Sequence, residues 1–249
     1  IGSTGFDSCF QVPINQSHPQ IRVWSLKKEV REILSDRIWV TLALGGMALC
    51  FAVVVAIPLG VAAAIKPNSW LDRLALTIAV FGQAMPSFWF GLVLMILFGV
   101  SLRWFPISGS DTFAHMVLPA VALGYYATPA IMRLTRAGML DVLASDYIRT
   151  ARAKGLKTRS VLFKHGIRNA IIPVVSLASV QFGFMLGGSV VIETVFAIHG
   201  VGFLAWESIR RSDLPVVQAI VLMLSMIYVL LTLLSDVLNA ALDPRIRVH

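Results

Sequence analysis

The residues best able to do chemistry gather in one stretch of this chain, DYIRTARAKGLKTRSVLFKHGIRN, from Asp146 to Asn169. Seven Lys and Arg, together with His165, fall within it, and the runs on either side are apolar. No bond-making set accompanies them. A phosphate-cradling G-x-x-x-x-G-K-[ST] is absent, and AKGLKT, the nearest approach, lacks the glycine spacing. HExxH, CxxC and GxSxG are absent too, and His18, His115, His165, His199 and His249 are scattered along the chain. Cys9 and Cys50 lie in a polar head segment and an apolar run, a poor pairing for a disulfide. The chemistry on offer is attraction and hydrogen bonding, not catalysis. No enzyme, cofactor or metal is expected.

Local patterning shows how such a stretch could be shaped. Leu143, Tyr147 and Ala151 recur at helical spacing with Ile148 beside them, while Arg149 and Arg152 face away. Gly155, directly after Lys154, suits the residue that ends a helix in a left-handed turn. Thr158 is placed to cap a second short helix running through Lys164, with Val161, Leu162 and Phe163 as its apolar side. Two short helices joined at a glycine predict a compact knob. An anionic lipid surface would attract these charges, but it does not need a glycine-broken helix pair with an apolar stripe. Those features favour docking to another protein.

The rest of the chain decides where that knob is held. Hydrophobic residues make up 57% of the sequence, charged residues only 14%, and the mean hydropathy is +0.79. Soluble domains usually carry about 25% charged residues. Asp, Glu, Lys and Arg are missing from Ile38 to Ile65, Leu74 to Leu102, Asn169 to Ile192 and Leu214 to Ser235, and also from the shorter run Ala114 to Met132. Roughly 20 apolar residues cross a bilayer core. The reading is an all-α polytopic membrane protein with spans at about 38–65, 74–100, 114–133, 170–190 and 214–238. Residues 1–37 form an extracytoplasmic segment with a surface helix from Ser25 to Arg37.

A net charge of +8 would suggest nucleic acid in a soluble protein. Here the positive-inside rule accounts for it. With the basic loop in the cytoplasm, thirteen Lys and Arg lie inside, while only Arg103, Arg210 and Arg211 lie outside beyond the N-terminal segment. The N-terminus is then outside and the C-terminus inside. An outward N-terminus that starts at Ile1, with no hydrophobic run before residue 20, predicts a further span ahead of this sequence, six in all.

Within the spans, Ala48, Ala52, Ala56 and Gly60 form a small-residue face, and GFMLG at 183–187 is a GxxxG packing signal. Proton-driven transporters and pumps usually hold ionisable groups deep in their spans, and here the only candidates, Glu193 and Asp236, sit at span ends. A pathway would use neutral groups instead: Gln83, Ser87, Ser176, Ser179, Gln181 and Ser225. Met85, Pro86, Ser87, Phe88 and Trp89 are the best candidates, because a proline-broken helix is expensive unless it borders a cavity. IETVFAIHGVGFLAWESIRRSDLP, from Ile192 to Pro215, is apolar for a loop; it reads as a re-entrant gate including Glu193 and Phe196, or as a helix lying at the interface.

DYIRTARAKGL at 146–156 and FKHGIRNAIIP at 163–173 resemble the cytoplasmic EAA loop of binding-protein-dependent ABC importer permeases. The similarity is to the branch handling dipeptides, oligopeptides, glutathione and nickel. MPSFWFG at 85–91, HMVLPAVALG at 115–124, RLTRAGMLDVLASDY at 133–147, IETVFAIHGVG at 192–202 and LDPR at 242–245 follow in the same order, so the resemblance spans about 38–247. Two departures stand out. Arg149, Thr150 and Ala151 occupy the Glu-Ala-Ala positions, and the closing Leu-Pro is replaced at Ile167 and Arg168. The resemblance implies a type I permease bundle in a bacterial inner membrane. It implies pairing with a second homologous permease, two ABC ATPase subunits, an extracytoplasmic substrate-binding protein and no resident cofactor. Loop 137–168 would then carry the coupling contacts, through Asp146, Tyr147, Arg149, Ala151, Arg152, Lys154, Gly155 and Leu156. A secondary transporter or channel subunit is the alternative, and a membrane anchor with a lipid-binding loop is a further one.

Overall fold

The computed structural model describes residues 23–109, 112–157 and 160–242. Among them helices are the regular secondary structure, and no strand is present. α1 runs from Val23 to Ile65, α2 from Trp70 to Ala84 and α3 from Ser87 to Leu94, the last continuing as a π-helical stretch Met95–Ser101. α4 is Phe113–Gly124, α5 Thr128–Ala144 and α6 Asp146–Ala153. A π-helical turn Val161–Ile167 and a short Arg168–Ala170 helix lead into α7, Ile172–Val195; α8 is Val201–Arg210 and α9 is Leu214–Leu242. Three helical segments, Ile33–Ile65, Ile172–Val195 and Leu214–Val237, are long and apolar enough to cross a membrane. The total rises to five if each of two bent pairs is one span.

Several boundaries differ from the sequence reading, for physical reasons. The surface helix expected at Ser25 to Arg37 is not separate. No Gly or Pro interrupts residues 25–44, so the helix propagates into the span as one 43-residue α1. The expected span 74–100 is two helices bent by 104° at Met85 and Pro86. The ring of Pro86 removes a backbone donor and forces Met85 into an extended conformation (ψ 133°), as expected of a residue before proline. The span 114–133 breaks by 61° after Gly124, and its second half continues to Ala144. Pro173 opens α7 in its first turn, where a missing N–H is harmless.

α1 is the central post. Ala48, Ala52 and Ala56 are fully buried, and the core they join includes Leu44, Leu118, Ala122, Ile131, Met132, Val174 and Ile192. Small residues let backbones touch there. A Cβ on Gly124 would stand 2.3 Å from the Ala48 carbonyl oxygen, and one on Gly60 would stand 2.7 Å from that of Met132. The GxxxG signal is only half used. Gly183 faces the Tyr228 ring of α9, whereas a Cβ on Gly187 would meet nothing within 4 Å. Outward faces stay apolar; α9 exposes Leu222, Met226, Val229 and Leu233.

Candidate functional site

The break at Pro86 opens one wall of a cavity. Gln83, Met85, Pro86 and Ser87 line it from α2 and α3, Tyr126, Ala127 and Ala130 from the α4–α5 bend, and Gln181, Phe184, Met185 and Gly188 from α7. Its volume is about 650 Å³, within the roughly 300–1,000 Å³ range of small-molecule sites. A broken helix leaves carbonyls to satisfy. Here the Tyr125 hydroxyl donates to the Met85 carbonyl, and the Tyr125 ring rests on Phe90 with centroids 4.2 Å apart. The cavity wall is therefore held open by a residue of the neighbouring bend. No charged side chain lines it. Two glutamine amides, a serine and a tyrosine offer donors and acceptors, with two methionines and a phenylalanine as apolar surface.

Of the pathway residues expected from sequence, the cavity gathers Gln83, Met85, Pro86, Ser87 and Gln181. Phe88 and Trp89 are about half exposed and lie outside its lining, as do Ser176, Ser179 and the exposed Ser225. The Ser179 hydroxyl instead donates to the Val175 carbonyl in its own helix.

Glu193 and Phe196 lie apart from the cavity, buried at the joint between α7 and α8. The chain turns there through Ala197, at φ 51°, and Gly200. Gly200 itself supplies no side chain to cap α8, so the cap comes from elsewhere. The Glu193 carboxylate accepts the Phe203 N–H at 2.9 Å, and the Thr41 hydroxyl of α1 accepts the Val201 N–H at 2.9 Å while donating to Glu193 at 2.8 Å. These side-chain oxygens satisfy N–H groups that the first turn of a helix leaves without intrahelical partners. Phe196 packs over Gly91 of α3, where any side chain would crowd its ring. The segment from Ile192 to Pro215 thus holds a ten-residue helix with Val201, Gly202, Ala205 and Ser208 turned inward.

At the C-terminal end of α5 the chain builds the knob. Ser145 is extended and starts α6. Ile148, Ala151 and Val161 are buried together, with Val142 and Leu143 packed on them. Tyr147 departs from the expected inner face: it is 42% exposed, and its hydroxyl accepts from the Asn169 amide at 2.9 Å. One residue's rotation, from Tyr147 to Ile148, sets the true apolar stripe. α6 ends in a Schellman turn, with Gly155 N–H donating to the Arg152 carbonyl and Leu156 N–H to that of Ala151. Gly155 has φ 76°. The cap expected of Thr158 lies outside the described residues. The following helix is π-helical, which puts Val161 and Gly166, five residues apart, on the buried side. Phe163 consequently points outward and is 66% exposed, contrary to its expected place on a packed apolar side. Asp146, Arg149, Arg152, Lys154 and Leu156 are exposed as well.

Sequence reasoning missed one constellation altogether. Arg136 of α5 makes a two-pronged ion pair with Asp72 of α2, with Nε to Oδ1 and Nη2 to Oδ2 both at 2.7 Å. Asp72 is 2% exposed, and its Oδ2 also accepts the Asn68 N–H. The aspartate reads as a solvated charge in a polar turn; only its burial against α5 reveals the pair.

Bent apolar helices around a neutral cavity, with a basic knob at one end, define a membrane transport subunit. The chain belongs to the binding-protein-dependent transport system inner membrane component family, whose model matches residues 56–248. It is 43% identical over 221 residues to the glutathione transport system permease protein GsiC of Pectobacterium atrosepticum, covering 89% of this chain and 72% of that one. Identity is 44% to GsiC of Salmonella typhimurium and 43% to that of Escherichia coli K12, over the same shares. In fold it resembles the inward-facing MetNI methionine ABC transporter, with a TM-score of 0.73 at 20% identity over 86% of this chain and 97% of that one. An amino acid ABC transporter with histidines gives 0.61 at 17% identity, over 89% and 97%. The protein is a permease subunit of an ABC importer, and the secondary-transporter and channel alternative falls away.

Proposed function

We propose that this permease forms half of a translocation pathway in a bacterial inner membrane, completed by a second homologous permease. Two ABC ATPase subunits drive it, and an extracytoplasmic substrate-binding protein delivers its solute. The solute is a short peptide or a peptide-like molecule such as glutathione. The uncharged lining supports this reading, because the Gln181 amide both donates and accepts, as a peptide backbone requires, while the Gln83 amide, whose oxygen accepts from Arg133, adds donors. Its kinship with glutathione permeases supports the same solute class.

The observation that carries the coupling role is the knob at 146–165. It stands at the end of α5, the helix whose other end lines the cavity, and it presents Tyr147, Leu156 and Phe163 beside Arg149, Arg152 and Lys154. Apolar anchors rimmed by cations suit a groove on a partner protein. ATPase closure would push on α6 and, through it, on the bend at Tyr125 to Ala127. Phe196 and Glu193, which seat α8, would serve the extracytoplasmic gate.

Gly155→Val tests the docking role. A Cβ at Gly155 would meet nothing within 4 Å, so the effect is conformational alone. A β-branched residue at φ 76° costs at least about 1–2 kcal/mol. The variant should insert in the membrane and pair with the second permease, yet lose the ATPases on pull-down, and low salt should not rescue it. Arg149→Ala with Arg152→Ala should give a milder, salt-sensitive loss. Normal ATPase retention and transport in Gly155→Val would sink the proposal.

A further inference from the structure

α2 is a weakly anchored helix in a decisive place. Its last residues, Gln83 and Ala84, line the cavity and lead into the Pro86 break. Yet its only buried residues are Asp72 and Ala79, while Leu71, Leu74, Ile78 and Phe81 face outward. Its middle packs into the core beside α1 through Ala75, Leu76 and Ala79, and side chains of α5 grip both its ends. Arg136 grips Asp72 at the start of α2, and Arg133, one turn away on α5, donates from Nη1 to the Gln83 side-chain oxygen at 3.1 Å near its finish.

The two grips are unequal. The Arg133 contact is exposed and rests on one hydrogen bond. The Arg136 pair is two-pronged, and its acceptor is almost fully buried and fixed by other bonds: Asn68, at φ 62°, donates to Oδ2, and the Ser69 side chain accepts the Asp72 N–H. A guanidinium fork on a carboxylate resists rotation as well as separation. Buried ion pairs frequently contribute little net stability compared with an apolar pair of the same size. Geometry is therefore the better reason for this one.

We propose that the Asp72–Arg136 pair is the positioning element that transmits movement of α5 to α2, and so to the cavity wall at Pro86. It rests on the reading of the knob as the ATPase docking site. Both residues are positioning residues: neither lines the cavity nor belongs to the exposed face of α6. α5 starts beside cavity residues Tyr126 and Ala127 and ends at Ala144, one residue before α6, so it spans the whole distance between docking and cavity. At 1.5 Å per residue that is roughly 25 Å. Without the clamp, α5 would move while α2 lagged.

The test uses the full assembly, with both permeases, both ATPases and the binding protein, on a background lacking Cys9 and Cys50. Spin labels go on Ala84→Cys and Phe184→Cys, which sit on opposite walls of the cavity. The distance between them is measured by electron paramagnetic resonance before ATP is added and after its hydrolysis product ADP is trapped with vanadate, so no transported solute need be known. In the otherwise unaltered complex the distance should shift on trapping. In Arg136→Gln and in Asp72→Asn the ATPases should remain bound and trap nucleotide as before, while the shift is lost. A shift of unaltered size in either variant overturns the proposal. If these variants fail to assemble, the apolar pair Asp72→Leu with Arg136→Met decides. Assembly and trapping without a shift support the clamp; assembly with a normal shift, or failure to assemble, shows that the pair serves only the fold. Failure of the docking reading is distinguishable, since Gly155→Val would then retain its ATPases. If the unaltered complex traps nucleotide with no shift, nothing reaches α2 and the clamp proposal falls with it.

Discussion

Thr41 offers the sharpest test of how α8 is held. It is fully buried in α1, 152 residues from Glu193 in sequence, and its hydroxyl serves two partners at once. Thr41→Val keeps the shape and removes both hydrogen bonds. That leaves the Val201 N–H without its partner, at about 1–3 kcal/mol for a buried group left unpaired, and takes one of several donors from the Glu193 carboxyl. Water cannot readily replace the hydroxyl. A Cβ added to Gly200 would already lie 2.6 Å from Thr41 Oγ1 and 2.5 Å from Glu193 Oε2, which shows how tightly the joint is closed. The loss should be roughly 1–3 kcal/mol, or about a 5- to 150-fold increase in local opening. Hydrogen exchange read by mass spectrometry on the peptide covering Ile198 to Trp206, in lipid nanodiscs, would measure it. Thr41→Ser, which keeps the hydroxyl, should stay near the unaltered rate. Exchange in Thr41→Val within a few-fold of the unaltered protein would refute the reasoning, because the Val201 amide would then owe its protection to packing alone.

Two further outcomes are expected. A cysteine at Lys157, which is exposed within the knob, should react with a membrane-impermeant reagent only from the cytoplasmic side; labelling from outside would reverse the orientation drawn from the charge bias. Gly124→Val should separate α4 from α1, since its Cβ would meet the Ala48 carbonyl oxygen at 2.3 Å. Its thermal unfolding in detergent should show a loss of at least about 1–3 kcal/mol. Gly82→Ala, whose nearest neighbour would be the Tyr125 ring at 3.9 Å, should be tolerated, and equal effects of the two would discount close helix contact as the cause.

Much of the molecule was legible in neighbouring residues. Uncharged runs name the membrane helices because burying charge in lipid is expensive whatever the fold. Pro86 marks the break, since a ring without an N–H acts within one helical turn. Gly155 marks the end of α6, since the left-handed turn is a property of one residue and its immediate hydrogen bonds. The basic stretch from Arg149 to Arg168 marks the knob for the same reason: charge density is local.

Tertiary structure decided what depends on partners far along the chain. The bends of 104° and 61° are set by how α2, α3, α4 and α5 pack, and the cavity exists only because both fall beside α7. Periodicity alone placed Tyr147 on the inner face of α6; contact with Val161 across the turn selected Ile148 instead. Asp72 and Glu193 look like ordinary charges at helix ends until Arg136 and Thr41 arrive, 64 and 152 residues away, to bury them. A side chain's type limits which partners it can accept, but only the packing of the bundle brings one within 3 Å.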